Sequence, residues 1–307
     1  MIAISIMLAV AVSACGGGAT KSRSAAAQKP VSTPAQSTTS SGTSGTPVAS
    51  SPCAATAVAA TPTGSTAGAP SLKTLLAHLH SSRFASFAFT QRTCVGSGPS
   101  PMQNAVSASM QVRPSLMARI TQTSAGHVVN ARLIGGTEYV HVPGLASRDG
   151  GRPWLSVSLA RAGAAIGLNL NELLSEAKNL DPSRNLRLLT VANQFQPLGA
   201  TNVNGTAVVG FRGSFDAAHL PASGLSSDLT AQVRALLARV GASREVVSTY
   251  ITPTNSVPVR VVTTLDTKSH GEIVTVQDFR AINVPVHVAA PPPRATISYS
   301  QAQRLGR

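Results

Sequence analysis

Seven histidines, eleven carboxylates and three cysteines are the side chains of this chain best able to hold a metal, move a proton or act as a nucleophile. His78 and His80 stand two apart in a segment that reads as helix, so they do not share a face. His127, His141, His219, His270 and His287 occur singly in strands, turns or loops. No metal site is expected from this spacing. Glu172 and Glu176 share a helix face but are read as solvated rather than as a glycosidase pair, which needs two carboxyls across one cleft. No G-x-S-x-G elbow, phosphate-cradling glycine loop or H-E-x-x-H occurs. A triad assembled from distant positions is the remaining route to an enzyme. The expectation is a binding protein with no catalytic residue, no metal and no cofactor, in which the single tryptophan, Trp154, is a core or rim residue.

Cys15 has a different context. The apolar run from Ile2 ends in Val12-Ser13-Ala14-Cys15 and passes directly into Gly16-Gly17-Gly18. A membrane span needs about 20 apolar residues, more than this run supplies. The motif resembles the lipobox of bacterial lipoproteins. That resemblance implies cleavage of a signal peptide, residues 1–14, and attachment of palmitate-type acyl chains to Cys15. No Lys or Arg precedes the run where a positive n-region is usual, which leaves an upstream start or an atypical signal. One acyl chain anchors a protein only marginally, whereas two or more make the anchor stable. Export also places Cys53 and Cys94, the remaining even pair, in an oxidising compartment. A disulfide between them is expected; the alternative leaves Cys94 a buried thiol and Cys53 exposed.

Composition divides the chain. From Gly16 to Pro70, 46 of 55 residues are Ala, Ser, Thr, Gly or Pro, without a single acidic or aromatic residue. Such a segment buries too little apolar surface to offset its ordering entropy, so residues 15–70 are expected to be a lipid-anchored disordered linker. One domain follows, residues 71–293, with a loose tail at 294–307. From Ser71 onward there are 22 Lys and Arg against 11 acidic residues, a formal charge of 22 − 11 = +11. This favours anionic lipid headgroups or wall polymers, or is simply a solvated basic surface. The charges are scattered and no nucleic-acid motif is present, so nucleic acid is not an expected partner.

Within the domain, Leu72, Leu75, Leu76 and Leu79 mark a helix from Ser71 to Arg83. Period-two patterning follows over Phe84–Val95, with Phe87 and Phe89 on one face and Thr90 and Arg92 on the other. Further strands are read at Ala105–Val112, Leu116–Thr123, His127–Ile134, Glu138–Val142 and Trp154–Val157, separated by turn signals. A helical insert then carries Leu168, Leu170, Leu173, Leu174 and Ala177, and after Asp181-Pro182, Leu186, Leu189 and Phe195. Asn204-Gly205 predicts a tight hairpin between Ala200–Val203 and Thr206–Gly213. A helix over Asp228–Val240 stripes Leu229, Val233, Leu236, Leu237 and Val240 and ends at Gly241. Strands at Val246–Ile251, Val257–Leu265 and Glu272–Phe279 complete an α+β pattern in which helices gather on one face of a long antiparallel sheet.

Taken in order, these features resemble a known family. They are the lipobox Val12–Cys15, the opening helix ending near His80, Trp154-Leu155-Ser156-Val157 before the helical insert, and Val203-Asn204-Gly205-Thr206 leading to Phe211–Asp216. Val257-Pro258-Val259-Arg260 and the ending Val284–Pro291 complete the series. Over some 220 residues the chain is similar to the actinobacterial lipoproteins of the LppX/LprA/LprF/LprG type, relatives in fold of LolA and LolB. The resemblance implies a half-barrel, a curved antiparallel sheet whose concave face is covered by helices around an apolar cavity. It also implies a non-enzymatic carrier of lipids or acylated glycolipids on the outer face of the cytoplasmic membrane. On this reading Leu186, Leu189, Leu229, Val233, Leu236 and Leu237 line the cavity or are plain core, and Arg184 and Arg187 meet an anionic headgroup at its rim. The alternative is an envelope sensor or protein-interaction module on the same fold.

Overall fold

The computed structural model describes residues 52–78, 85–96, 101–124, 126–161, 192–216, 241–268 and 270–305, with positions 189, 231, 234 and 238 between them. In chain order the helices are α1 (Pro52–Ala60), α2 (Leu72–His78), α3 (Pro143–Ala146) and α4 (Tyr299–Leu305). The strands are β1 (Ser86–Val95), β2 (Met102–Gln111), β3 (Met117–Ser124), β4 (His127–Ile134), β5 (Thr137–His141) and β6 (Trp154–Ser158). They continue with β7 (Gln194–Val203), β8 (Thr206–Asp216), β9 (Ala242–Ile251), β10 (Pro258–Thr267), β11 (Gly271–Arg280) and β12 (Thr296–Ser298).

All twelve strands form one sheet in the order β12-β6-β5-β4-β3-β2-β1-β11-β10-β9-β8-β7. Every pairing is antiparallel except the parallel one of β12 with β6. The sheet is curved and unclosed, as strand twist accumulated over this many strands requires. Two meanders, β1–β6 and β7–β11, meet where β1 pairs with β11. The Asn204-Gly205 turn that joins β7 to β8 has positive φ at both residues, 52° and 81°, the backbone a two-residue hairpin needs.

Burial follows the strand period. In β2 and β3 buried and accessible positions alternate, so one face meets water. In β8 and β9 the buried positions run almost continuously, so both faces are covered. The face carrying Phe87 and Phe89, here the inner face, holds the largest core cluster, joined by Leu75 of α2 and by Leu189. The outer face carries Cys94, Val274, Val276, Val262 and Tyr250, and α1 lies over it with Cys53 and Ala60 buried.

Three expectations need correction. Residues 52–70 fall inside the linker expected to be disordered, yet α1 is ordered and Thr61 is buried. Cys53 is bonded to Cys94 at 2.08 Å, and small alanines let the helix lie close to the sheet. Beyond α1, Ala200 donates to the carbonyl of Ser65 (2.7 Å) and Gly64 to that of Leu198 (2.8 Å). The approach is so close that a Cβ on Gly64 would stand 1.8 Å from the Ala200 carbonyl oxygen. The tail expected to be loose also packs: β12 pairs with β6, and Ile297 is fully buried with Leu155 and Val157. Phe195, read as helical, lies in edge strand β7 with its ring 6.0 Å from that of Phe211.

Candidate functional site

The inner face changes character along its strands. One cross-strand row runs Phe279, Phe89, Ala108, Ile120, Ala131, Val140 and Leu155 over seven strands, all of them buried. The rings of Phe87, Phe89 and Phe279 stand 6.0 to 6.3 Å apart, a compact aromatic group at this end. Two residues further along β1, about 7 Å away, the aligned row reads Thr249, Val261, Gln277, Gln91, Val106 and Gln122. Its four polar members are all buried, none more than 5% exposed. The next row holds Thr263, Thr275, Thr93, Asn104 and Ser124. The same face is thus hydrocarbon over the phenylalanines and, beyond them, a band of amides and hydroxyls set among Val106, Val261 and Val247, with Phe215 and Leu265 flanking Glu245 one row further.

Several of these polar atoms have no hydrogen-bond partner. Gln122 Oε1, Thr249 Oγ1 and Glu245 Oε1 are buried and unbonded, as is Asn104 Oδ1 in the next row. A buried polar atom left unpaired costs about 1–3 kcal/mol, so a settled core seldom keeps several on one face. Glu245 stands on β9 between Phe215 and Leu265, and burial pushes its carboxyl up to about 7. Burial also raises Glu138, at the β5 side of the same face. These carboxyls hold their protons more tightly than a solvated glutamate does.

Leu189 lies on this face, 1% exposed, against Gly213 of β8. A Cβ on Gly213 would come within 2.8 Å of both Leu189 Cδ2 and Ala192 Cβ, so the glycine is what lets this leucine rest directly on the sheet. Cys15, Arg184, Leu186, Arg187, Leu229, Val233, Leu236 and Leu237 lie outside the described residues. Ala231, Arg234 and Ala238 are helical and exposed. The polar row of Gln91, Gln122, Gln277 and Thr249 escaped the sequence reading. Its one signal was the odd-numbered phase shared by Phe87, Phe89 and Gln91.

On the outer face, an open cleft of about 540 Å³ is lined by Tyr139, Ser156, Thr137, Pro291, Pro292 and Ile297 among others. Beside it Arg132 lies 4.7 Å over the ring of Trp154, whose edge meets His141 at 5.0 Å. Trp154 is therefore a rim residue, occupied by its neighbours. Among the described residues no three His, Cys, Asp or Glu gather as a metal site, and no helix is long and apolar enough to cross a membrane.

The class this geometry defines is a large, unclosed antiparallel sheet with a buried, mainly apolar inner face crossed by a band of amide and hydroxyl side chains. Among solved structures the chain is similar to the lipoprotein LppX of Mycobacterium tuberculosis, at 16% identity and a TM-score of 0.43, over 71% of this chain and 100% of that one. It is also similar to LprF from Mycobacterium bovis, at 15% identity and a TM-score of 0.45, over 73% and 99%. A LolA superfamily protein from Nitrosomonas europaea aligns at 12% identity and a TM-score of 0.27, over 72% and 96%. LppX and LprF are of the lipoprotein type that the ordered sequence motifs resemble. No family model and no curated protein matches the chain.

Proposed function

We propose that the chain is a membrane-anchored lipoprotein that binds a lipid or acylated ligand against the inner face of its sheet and carries it within the cell envelope, without catalysis. The observation that carries this reading is the set of buried, unpartnered oxygens of Gln122, Thr249 and Glu245 beside an apolar floor. An amphiphile supplies both things such a surface lacks, hydrocarbon over the phenylalanines and polar groups over the glutamine row. The lipobox and the basic domain support the location: acylated Cys15 holds the protein at the bilayer, and a positive surface favours anionic headgroups there. With α1 fixed to the sheet by Cys53, the tether on this reading is the sequence from Gly16 to the start of α1 at Pro52. Its 37 residues give an r.m.s. reach of about 35 Å, enough for the domain to meet the membrane surface.

Native mass spectrometry of the full lipoprotein, purified from its host and freed from exchangeable detergent, tests the reading. It should show a co-purified acylated ligand; a uniformly ligand-free protein that takes up no added lipid would overturn it. Cys15→Ala should move the protein out of the lipid-modified pool and leave the 1–14 segment uncleaved. A variant that stays fully membrane-bound through an uncleaved 1–14 segment, as the unaltered chain would then also do, would mean that this segment is another kind of anchor.

A further inference from the structure

The inner face changes chemistry along its strands, and the change says how a ligand would lie and which ligands would fit. At one end Phe87, Phe89 and Phe279 pack with Met110, Ala108 and Ile120. Across its middle, Gln91, Gln122, Gln277 and Thr249 lie in register over five strand pairings with Val106 and Val261 among them, and Thr93, Thr275 and Thr263 lie beyond. Some of this polar surface satisfies itself: Gln91 Nε2 donates to Thr93 Oγ1 at 3.3 Å, and the hydroxyls of Thr93 and Thr275 meet at 3.4 Å. What remains is oxygen: Gln122 Oε1, Thr249 Oγ1 and, on the same strand as Thr249, Glu245 Oε1, all in residues at most 4% exposed.

Resting on the lipid-binding reading above, we infer that a bound amphiphile lies along the strands, acyl chains over the phenylalanines and head over the glutamine row, and that this row selects heads that donate hydrogen bonds. An amide oxygen can only accept, so Gln122 Oε1 is satisfied by a hydroxyl or ammonium proton and not by an ester or ether. A lipid whose head oxygens are all esterified leaves Gln122 Oε1 orphaned, whereas one with a free hydroxyl does not; the Thr249 hydroxyl can donate to either. The predicted ligand class is therefore a lipid with at least one free head hydroxyl.

The test uses two probes that differ at one oxygen, 1,2-dioleoylglycerol and its 3-O-methyl ether, in which a methyl replaces the hydroxyl hydrogen, offered together at equal concentration to the full chain in detergent and read by native mass spectrometry. A hydrogen bond to a buried orphan should favour dioleoylglycerol by about tenfold. Gln122→Met keeps the length of the side chain and removes the acceptor; it should bring the ratio close to one while leaving uptake of the ether unchanged. Thr249→Val, five strand spacings or about 24 Å away along the sheet and with a hydroxyl that can serve either head, should leave the ratio unchanged. Equal uptake of the two probes by the unaltered chain, or a preference that survives Gln122→Met, would overturn the inference and leave the lipid-binding reading intact. Uptake of neither probe would overturn both.

Discussion

Arg260 and Asp278 face each other across β10 and β11 with two hydrogen bonds, Nε to Oδ1 at 2.6 Å and Nη2 to Oδ2 at 3.1 Å. Their side chains are 11% and 10% exposed. The same guanidinium reaches the carbonyl of Ala60 at the end of α1 (3.4 Å) and Asn204 Oδ1 in the β7–β8 turn (3.3 Å). One buried cation thus joins two strands, a turn and helix α1. It also sits where a helix C-terminus presents its unpaired carbonyls, which favours positive charge.

Removing one partner of this pair should cost more than removing both. Asp278→Ala leaves the Arg260 charge buried without its counter-ion, and the expected loss is about 3–5 kcal/mol. The double change Arg260→Met with Asp278→Leu should recover a large part of that loss, because two apolar side chains need no solvation. Urea midpoints of the two variants decide it; equal loss in both would show that the pair acts through packing alone.

Gly213→Ala places a methyl 2.8 Å from Leu189 Cδ2 and Ala192 Cβ. Overpacking of this kind costs about 1–3 kcal/mol. Adding Leu189→Ala to Gly213→Ala should cost less than the sum of the two single changes, since the truncated leucine makes room for the new methyl. A thermal-melt double-mutant cycle would measure that coupling, and strict additivity would mean that Leu189 does not press on β8.

Cys53 and Cys94 close a loop of sequence separation 41. On the chain-entropy estimate, opening it by Cys53→Ser with Cys94→Ser should lower stability by about 4 kcal/mol. The effect on structure should be local. Amide hydrogen exchange is expected to rise across α1, while β1 and β11 stay protected because their ladder is independent of the helix. A rise of equal size in β1 and β11 would show that the disulfide holds the sheet as well.

The parts of the fold that could be read in the sequence are those governed by local rules. Period-two runs gave β4 its observed bounds, His127–Ile134, and Asn204-Gly205 placed the β7–β8 turn. Residues 52–66 could not be read, because nothing in an Ala/Thr/Gly/Pro stretch announces a sheet waiting to be covered; α1 is held by a covalent bond and by partners more than 200 residues away in sequence, such as Val274 and Val276. Ile297 likewise looks like one apolar residue in a polar tail until β6 stands beside it. At the site, the phenylalanine face was legible from its phase, and Gln91 shares that phase. What local pattern cannot supply is register: only the pairing of β1 with β2 and β11 puts Gln91 in line with Gln122 and Gln277.

Glu245 should give the protein a pH dependence opposite to that of a salt-bridged carboxylate. Its folded pKa is raised by burial from the ordinary 4.5 to about 7, so between these values the folded chain keeps a proton that the unfolded chain has lost. Stability rises with pH only where the unfolded state binds more protons, and here it binds fewer. The contribution is therefore fully present below about pH 4.5, declines as pH rises and is gone above about 7, with a slope approaching 1.4 kcal/mol per pH unit within the window. Glu138, raised in the same direction by burial, adds to it. Glu245→Gln keeps the shape and removes the titration: its urea midpoint should change less between pH 5 and pH 7.5 than that of the unaltered chain and should exceed it at the upper end. Parallel curves for the two proteins would assign the slope to another group, and Glu138→Gln would then be the variant to compare.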